Sequence, residues 1–233
     1  MTKKSAARST ARLIISESEL GADMLHATGF RAPDPFVYLE SSGRRAILLS
    51  DLELDRGLRE AQVDEVVSQS ELAAQLEKKG AGKGKPSSTA VIAAFLKKRG
   101  GAKPLVPADF PLGLARELGE HGITVTPVEG MFRPEQQIKT AAEIRLMTEA
   151  TRITEAGMAR GFEILKASTI GASKTLRWGG GILTSERLRT EIEAAILRAG
   201  GIPAGNSIIA CGDQACDRSE EHTSELQSPM FIS

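Results

Sequence analysis

The chain has 233 residues, of which 41% are hydrophobic and 26% are charged, and its 30 basic and 30 acidic side chains balance to zero net charge. This length allows one large domain or two small ones, and the charge balance excludes a strongly basic nucleic-acid binder. No apolar run approaches the roughly 20 residues that cross a bilayer. The polar residues 1–12 do not resemble a signal peptide, and two cysteines are too few for a disulfide framework. We therefore expect a cytoplasmic protein without membrane or nucleic-acid partners.

Between residues 11 and 128, short apolar runs alternate with helical stretches. The predicted strands are Leu13–Ile15, Phe36–Glu40, Ala46–Ser50, Val63–Val67, Leu105–Val106 and Ile123–Val128. The predicted helices are Ser18–His26, Glu53–Ala61, Ser88–Arg99 and Pro111–His121. Ser41–Arg44 has the composition of a hairpin turn, and Lys78–Pro86 that of a solvated loop. Strands that alternate with helices predict an α/β fold with a largely parallel sheet.

The pattern changes near Phe132. Thr140 and Glu143 match a capping box, which marks the start of a helix. Beyond them, apolar and small residues recur every three or four positions and predict a helix over Ala141–Lys166 with a partly small packing face. The members of this periodic face are Ile144, Met147, Thr151, Thr154, Met158, Gly161 and Leu165. A second helix over Ser185–Arg198 and a strand over Asn206–Cys211 complete a second domain.

The last 16 residues, Arg218–Ser233, do not resemble the rest of the chain. Their first eleven residues, RSEEHTSELQS, are similar to the translation of a common sequencing-adapter oligonucleotide. We treat this segment as an artefactual tail that packs on nothing, and we exclude it, with His222, from the interpretation of fold and function. The predicted organisation is thus a first domain over residues 1–132, a second over 133–217, and the tail over 218–233.

Several features superficially resemble functional sites but lack the required spacing. They are the glycine-rich Gly80–Lys85, the turn Trp178–Gly181, the pair Cys211 and Cys216, and the histidines His26 and His121. Gly80–Lys85 lacks the residue spacing of a phosphate-binding loop. Trp178–Gly181 lacks the third glycine and the flanking strand of a dinucleotide-binding motif, so we interpret it as a mobile turn. One cysteine pair cannot complete a zinc site. Neither histidine lies beside a serine or cysteine in a nucleophile motif, so the sequence assigns no catalytic, substrate-binding or metal-ligating residue.

The order of motifs along the chain resembles one known family. In the second domain the motifs are Arg133–Arg145, Ala150–Met158, Leu183–Arg189 and Ile208–Asp213; in the first they are Ala27–Phe30, Asp34–Phe36 and Leu49–Glu53. Together they resemble the pita-bread metallopeptidases, which include Xaa-Pro aminopeptidases, Xaa-Pro dipeptidases and creatinase. The resemblance covers about residues 11–217. It implies a creatinase-like N-terminal α/β domain, followed by the first part of an α+β pita-bread domain.

The resemblance also implies a chemistry. The family holds two divalent metal ions, such as manganese, with two aspartates, a histidine and two glutamates, and the metals activate a water molecule that attacks the peptide carbonyl. None of these five ligands maps onto residues 1–217, and neither Asp213 nor Asp217 is assigned as a ligand. We therefore expect the N-terminal fragment of an exopeptidase that hydrolyses Xaa-Pro bonds, without cofactor or activity in this chain. The intact protein would act on peptides as a homodimer.

Two other functions compete with this interpretation. A non-catalytic relative would use the two-domain scaffold to bind proteins, as some histone-chaperone subunits do. A free-standing α/β binding module would use its C-terminal helices as an oligomerisation arm. Reading the DNA beyond the codon for Asp217 in an independent clone discriminates them, because restored ligands favour the enzyme and a complete domain without ligands favours the binding protein.

Overall fold

A computed structural model describes residues 11–80, 84–171, 175–205 and 207–210. The chain divides between Gln137 and Ile138 into two compact units, here called the first and second units. The division falls five residues beyond the expected end of the first domain, because Phe132 and Arg133 are buried in the first unit. Segments Cys211–Asp217 and Arg218–Ser233, with the predictions made for them, lie outside the described residues.

The first unit contains a six-stranded sheet and five α-helices. The strands are β1 (Arg12–Ser16), β2 (Phe36–Ser41), β3 (Arg44–Leu49), β4 (Glu65–Ser68), β5 (Leu105–Val106) and β6 (Thr126–Pro127), in the order β4-β3-β2-β1-β5-β6. The helices are α1 (Ala22–Thr28), α2 (Asp51–Glu60), α3 (Gln69–Lys79), α4 (Ser88–Lys98) and α5 (Leu112–Glu120), and a 3₁₀ turn covers Pro134–Gln137.

The sheet is mixed rather than largely parallel. β2 runs antiparallel to both β1 and β3, whereas the β3–β4, β1–β5 and β5–β6 pairs are parallel. The antiparallel centre arises because β2 and β3 form the predicted hairpin, whose turn residues Ser42 and Gly43 both have positive φ, 53° and 76°. Positive φ at both positions suits the right-handed twist of the strands. The α/β class itself is as predicted.

Both faces of this sheet are covered, which explains why its central strands are almost continuously apolar. Along β2, for example, Val37 and Leu39 belong to one buried cluster, while Phe36 and Tyr38 belong to the other. The first cluster packs against α3, α4 and α5, and the second against α1 and the segment that contains Phe132. The alternation follows from the two-residue period of a strand.

The first unit departs from the sequence prediction in three elements. The first helix begins at Ala22 rather than Ser18, because Ser18 is buried and its hydroxyl accepts a hydrogen bond from the Ala32 amide at 2.7 Å. Helix α3 was not predicted, since its charged face masks a weak apolar period in which only Leu72 is buried. The predicted strand Ile123–Val128 is reduced to β6, the part that pairs with β5.

The second unit contains two helices and a small sheet. Its elements are α6 (Ala141–Ala167), β7 (Thr169–Ile170), β8 (Leu176–Trp178), β9 (Gly181–Ile182) and α7 (Ser185–Arg198). The capping box is confirmed, since the Glu143 amide donates to Thr140 Oγ1 at 3.2 Å and the Thr140 amide donates to Glu143 Oε2 at 2.7 Å. Both helices lie within one residue of their predicted bounds.

The packing face of α6 shares only Gly161 with the predicted one. The buried residues are Gly157, Gly161 and Ile164, and a Cβ built on Gly157 would lie only 2.7 Å from Cγ1 of Ile196 on α7. The small residues therefore admit the side chains of α7, as a close approach requires. By contrast, the apolar members of the predicted face are exposed, including Ile144 and Met158. The period was correct, but the buried face is rotated about the helix axis.

The strands of the second unit also differ from prediction. Ser207–Ala210, the described part of the predicted strand Asn206–Cys211, forms no ladder. Instead, β7, β8 and β9 form an antiparallel sheet. Trp178–Gly181, interpreted from the sequence as a mobile turn, is the β8–β9 hairpin, with φ of 57° and 81° at Gly179 and Gly180. Two-residue hairpin loops of this kind need residues that tolerate positive φ.

Candidate functional site

A buried polar network surrounds Arg133, near the C-terminal end of the first unit. Only 8% of this residue is exposed. Its Nε donates to Nδ1 of His26 on α1 at 3.2 Å, and its Nη2 lies 2.9 Å from Oε1 of Glu135. Its Nη1 lies 3.6 Å from Oε2 of Glu40 on β2 and makes no hydrogen bond among the described residues. The guanidinium thus connects a helix, a strand and its own segment.

Tyr38 supports the network from within the sheet. Its side chain is fully buried, and the Arg133 guanidinium lies 5.9 Å from the centre of its ring. The hydroxyl donates to Glu40 Oε2 at 3.2 Å. Burial, reinforced by the negative charge of Glu40, raises the pKa of Tyr38 to about 12. The phenol therefore stays protonated near neutral pH and serves as a hydrogen-bond donor.

Further contacts hold the segment that carries Arg133. Phe132 is buried, and the Arg12 guanidinium lies 5.6 Å from the centre of its ring. The same arginine lies 3.8 Å from Glu135, and the side-chain amide of Gln136 donates to the carboxylate of Asp23. Residues 132–136 are consequently attached to β1, β2 and α1 by apolar, ionic and hydrogen-bonded contacts.

The charges of this network suit positioning rather than covalent catalysis. Arg133 is permanently cationic, and Glu40 and Glu135 compensate it. Because the Arg133 Nε donates to His26 Nδ1, that nitrogen carries a lone pair, and the imidazole keeps its other nitrogen as a donor. Among the described residues, the network contains no serine or cysteine nucleophile. It can fix the backbone of residues 132–136.

A second polar cluster lies in an open groove of about 510 Å³ beside α2, α3 and α4. Asp51 Oδ1 accepts hydrogen bonds from the hydroxyls of Ser68 at 2.9 Å and Ser70 at 2.7 Å. These hydrogen bonds lower the pKa of Asp51, so its carboxylate stays ionised. Ser68 is also the N-cap of α3. No imidazole takes part, and the cluster joins the starts of two helices.

The structure describes only some of the candidate site residues that were considered from the sequence. His26 lies in the Arg133 network, whereas His121 is the residue that ends α5. The cysteines Cys211 and Cys216, the aspartates Asp213 and Asp217, and His222 lie outside the described residues. Within the described ranges, no group of three or more His, Cys, Asp or Glu side chains is arranged to hold a metal ion. The described residues therefore do not fit the two-metal site that the resemblance implies.

The sequence interpretation did not find the Arg133 network. Arg133 and His26 are separated by 107 residues in the sequence, so only the folded chain brings them together. One signal was present: Arg133 opens the motif that carries the family resemblance. Another was Tyr38, a lone phenol in an apolar strand, since a buried tyrosine hydroxyl needs a partner.

None of the described helices combines the length and the hydropathy that a membrane span requires.

Solved structures of peptidases resemble this chain in fold. An X-Pro aminopeptidase from Thermotoga maritima superposes with a TM-score of 0.60 at 14% identity, over 82% of this chain and 47% of that chain. An Xaa-Pro dipeptidase from Bacillus anthracis gives a TM-score of 0.59 at 17% identity, over 81% and 44%. A prolidase from Pyrococcus horikoshii gives 0.57 at 13%, over 82% and 44%.

Sequence comparison adds no relative, because neither a protein-family model nor a curated protein matches the chain. At identities below one fifth, the structural similarity establishes the fold alone. The chain spans less than half the length of the peptidases that it resembles. Its fold is therefore the mixed α/β fold found in the N-terminal part of Xaa-Pro aminopeptidase and prolidase structures.

Proposed function

We propose that this chain is the N-terminal part of a metal-dependent exopeptidase that hydrolyses Xaa-Pro peptide bonds. The observation that carries the proposal is the similarity to an X-Pro aminopeptidase over 82% of the chain, at a TM-score of 0.60. An Xaa-Pro dipeptidase and a prolidase share this similarity. The motif that begins at Arg133 supports the same assignment, because it resembles the entry to the pita-bread domain.

In this proposal the described residues form a scaffold, and the first unit takes no part in bond cleavage. The Arg133 network holds the end of that unit in one conformation, since Tyr38, Glu40 and His26 all contact the same guanidinium. The intact enzyme takes a peptide substrate, binds two divalent metal ions such as manganese, forms a homodimer and is cytoplasmic. The chain as given is inactive, because metal activation of water needs several anionic or imidazole ligands around the ions.

The test compares the chain as given with the product of an independent clone that is read past the codon for Asp217. Both are assayed for release of an amino acid from an Xaa-Pro peptide, with manganese and with a chelator. We expect metal-dependent release from the longer product only. Turnover by the chain as given, above its chelated control, overturns the claim that it is inactive.

The longer product also tests the competing function. If it folds completely but contains no Asp, Asp, His, Glu and Glu ligand set and releases no amino acid, the peptidase assignment is wrong and the protein-binding relative is favoured. If it contains the ligands, substitution of any one of them by alanine removes turnover, and circular dichroism checks that the variant is folded.

A further inference from the structure

A cationic pocket lies beside the β2–β3 hairpin, distant in the sequence from the Arg133 segment. It has a volume of about 340 Å³, and we call it the hairpin pocket. Its walls come from the hairpin, the start of β4 and the end of α4. The lining side chains that matter for recognition are those of Ser41, Ser42, Arg44, Glu65, Lys98 and Arg99.

The walls of the pocket are held by close packing. A Cβ built on Gly101 would lie 2.9 Å from Cδ1 of Leu39, so the turn that follows α4 packs directly against β2. Gly100 has a φ of 75°, and its amide donates to the Lys97 carbonyl at 3.3 Å. This turn ends α4 and satisfies some of the last carbonyl groups of the helix. It also fixes the end of α4, so that Lys98 and Arg99 lie at the pocket.

Cations outnumber anions in the hairpin pocket. Glu65 is engaged by Arg99, whose Nε donates to Oε2 at 2.9 Å and whose Nη2 donates to Oε1 at 2.5 Å. This pair, with the nearby charges of Arg44 and Lys98, lowers the pKa of Glu65, so it stays ionised. Arg45 lies at the rim, with its Nε 4.0 Å from Asp64. Glu65 is thus paired with Arg99, and Asp64 with Arg45.

Two cations of the pocket form no ion pair with a described carboxylate. Arg44 and Lys98 are exposed, and neither lies within 4.0 Å of a carboxylate in the part of the chain that the structure describes. Ser41 and Ser42 also line the pocket, and neither hydroxyl is hydrogen-bonded to another described residue. Cations near a helix C-terminus complement its dipole, which accounts for Lys98. The helix dipole does not account for Arg44, because Arg44 lies on the β2–β3 hairpin.

We propose that the hairpin pocket binds a phosphate group, free or as the monoester of a small molecule, between Arg44 and Lys98. A planar guanidinium can donate two parallel hydrogen bonds to phosphate oxygens, and an ammonium adds a point charge. The two serine hydroxyls are available as further donors.

The test is calorimetric titration of the full chain with inorganic phosphate and, separately, with O-phosphoserine, at constant ionic strength and against chloride. We expect saturable binding that Arg44→Glu and Lys98→Glu each weaken by at least about tenfold. Tighter binding of O-phosphoserine than of inorganic phosphate identifies a monoester as the ligand, and the reverse order identifies the free ion. Both substituted residues are exposed, and circular dichroism verifies that each variant is folded.

The matched control is Lys97→Glu. Lys97 precedes Lys98, is also exposed, and directs its ammonium toward Gly122 rather than into the pocket. It therefore gives the same change in net charge without removing a pocket cation, and we expect it to bind phosphate nearly as the unaltered chain does. Absence of saturable binding, or equal weakening by Lys97→Glu and Lys98→Glu, would overturn the proposal.

Discussion

The two units bury their apolar residues to very different extents. In the first unit, clusters on both faces of the sheet enclose large side chains such as Phe95 and Tyr38 completely. In the second, the buried apolar cluster consists of Ile164, Leu176, Leu183 and Leu188. Helix α6 leaves Ile144, Met147, Met158, Phe162 and Leu165 at least one-third exposed. Similar periodic patterns thus produce a closed core in one unit and a bare apolar face in the other.

Amphipathic spacing therefore predicts a helix but not the surface against which it packs. A helical period identifies a face, and burial requires a second surface within reach. Helix α4 packs its apolar face against the adjacent sheet. Helix α6 buries only Gly157, Gly161 and Ile164, and its glycines lie against α7. Each unit carries its own spectroscopic probe, because Tyr38 is the only tyrosine and Trp178 the only tryptophan. The comparison can therefore be tested unit by unit.

The largest effect is expected from Phe95→Ala. Phe95 is fully buried against the sheet, so its truncation should lower the free energy of unfolding of the first unit by about 3–5 kcal/mol. Denaturant titration followed by the near-ultraviolet signal of Tyr38 measures this loss. The matched variant Phe162→Ala removes a ring that is 55% exposed and should cost less than about 1 kcal/mol. Equal losses would contradict the contrast between the cores.

The next effect is a pH dependence that belongs to the first unit. The pKa of Tyr38 is about 12 in the folded chain, against 10.0 for the free side chain. Below pH 10 both states hold the proton, and between pH 10 and 12 the unfolded state loses it first. Stability should therefore fall by about 2–3 kcal/mol across this window.

Tyrosinate absorbance during alkaline titration measures the pKa of Tyr38 directly, and the variant Tyr38→Phe serves as the control. The substitution should remove the part of the pH dependence that comes from Tyr38. A midpoint near pH 10 in the folded chain would show that Tyr38 is not held in the buried network.

A smaller effect is expected at the contact between α6 and α7. Gly157→Ala places a methyl group against Ile196 and should destabilise the second unit by about 1–3 kcal/mol, although alanine favours helices. The fluorescence of Trp178 during unfolding reports the change. Gly119→Ala on α5 is the control, because nothing lies within 4 Å of its added Cβ, and it should stabilise the first unit by up to about 1 kcal/mol. Stabilisation by both substitutions would exclude close packing at Gly157.

The smallest effect is expected at the start of α6. Thr140→Ala removes the hydroxyl that accepts from the Glu143 amide and should cost about 1 kcal/mol, measured as lost helicity and lower stability of the second unit. Thr148→Ala is the control, since its exposed hydroxyl bonds only to the Ile144 carbonyl of the same helix. That substitution should change stability by less than about 0.5 kcal/mol. If both variants behave alike, the capping box contributes nothing.

Local signals in the sequence predicted most helices and the first-unit strands. The capping box at Thr140, the glycines after α4 and α5, and the hairpin composition of Ser41–Arg44 all marked element ends within a residue or two. Each is a signal within a few residues of chain. The strands of the second unit were missed, because two- and three-residue strands such as β7 and β8 have too little pattern to identify.

The candidate sites were much less predictable. Arg133 was visible as a motif residue, but its contacts with His26 and Glu40 join positions that are remote in the chain. The hairpin pocket likewise combines Arg44 with Lys98, and nothing in either local segment indicates the other. A charged side chain in a sequence is by default a solvated one, so only the fold reveals which charges converge.

The periodicities, helix caps and turns could be predicted from the sequence, because they depend on backbone conformation and on contacts between residues a few positions apart. Only the tertiary contacts showed that the sheet is mixed, that Gly157 rather than Met158 faces α7, and that Arg133 is buried. Strand order and burial depend on which distant surfaces meet, and several pairings satisfy the same local pattern. Hydrophobic burial is non-directional, whereas hydrogen-bonded turns and caps have a fixed geometry.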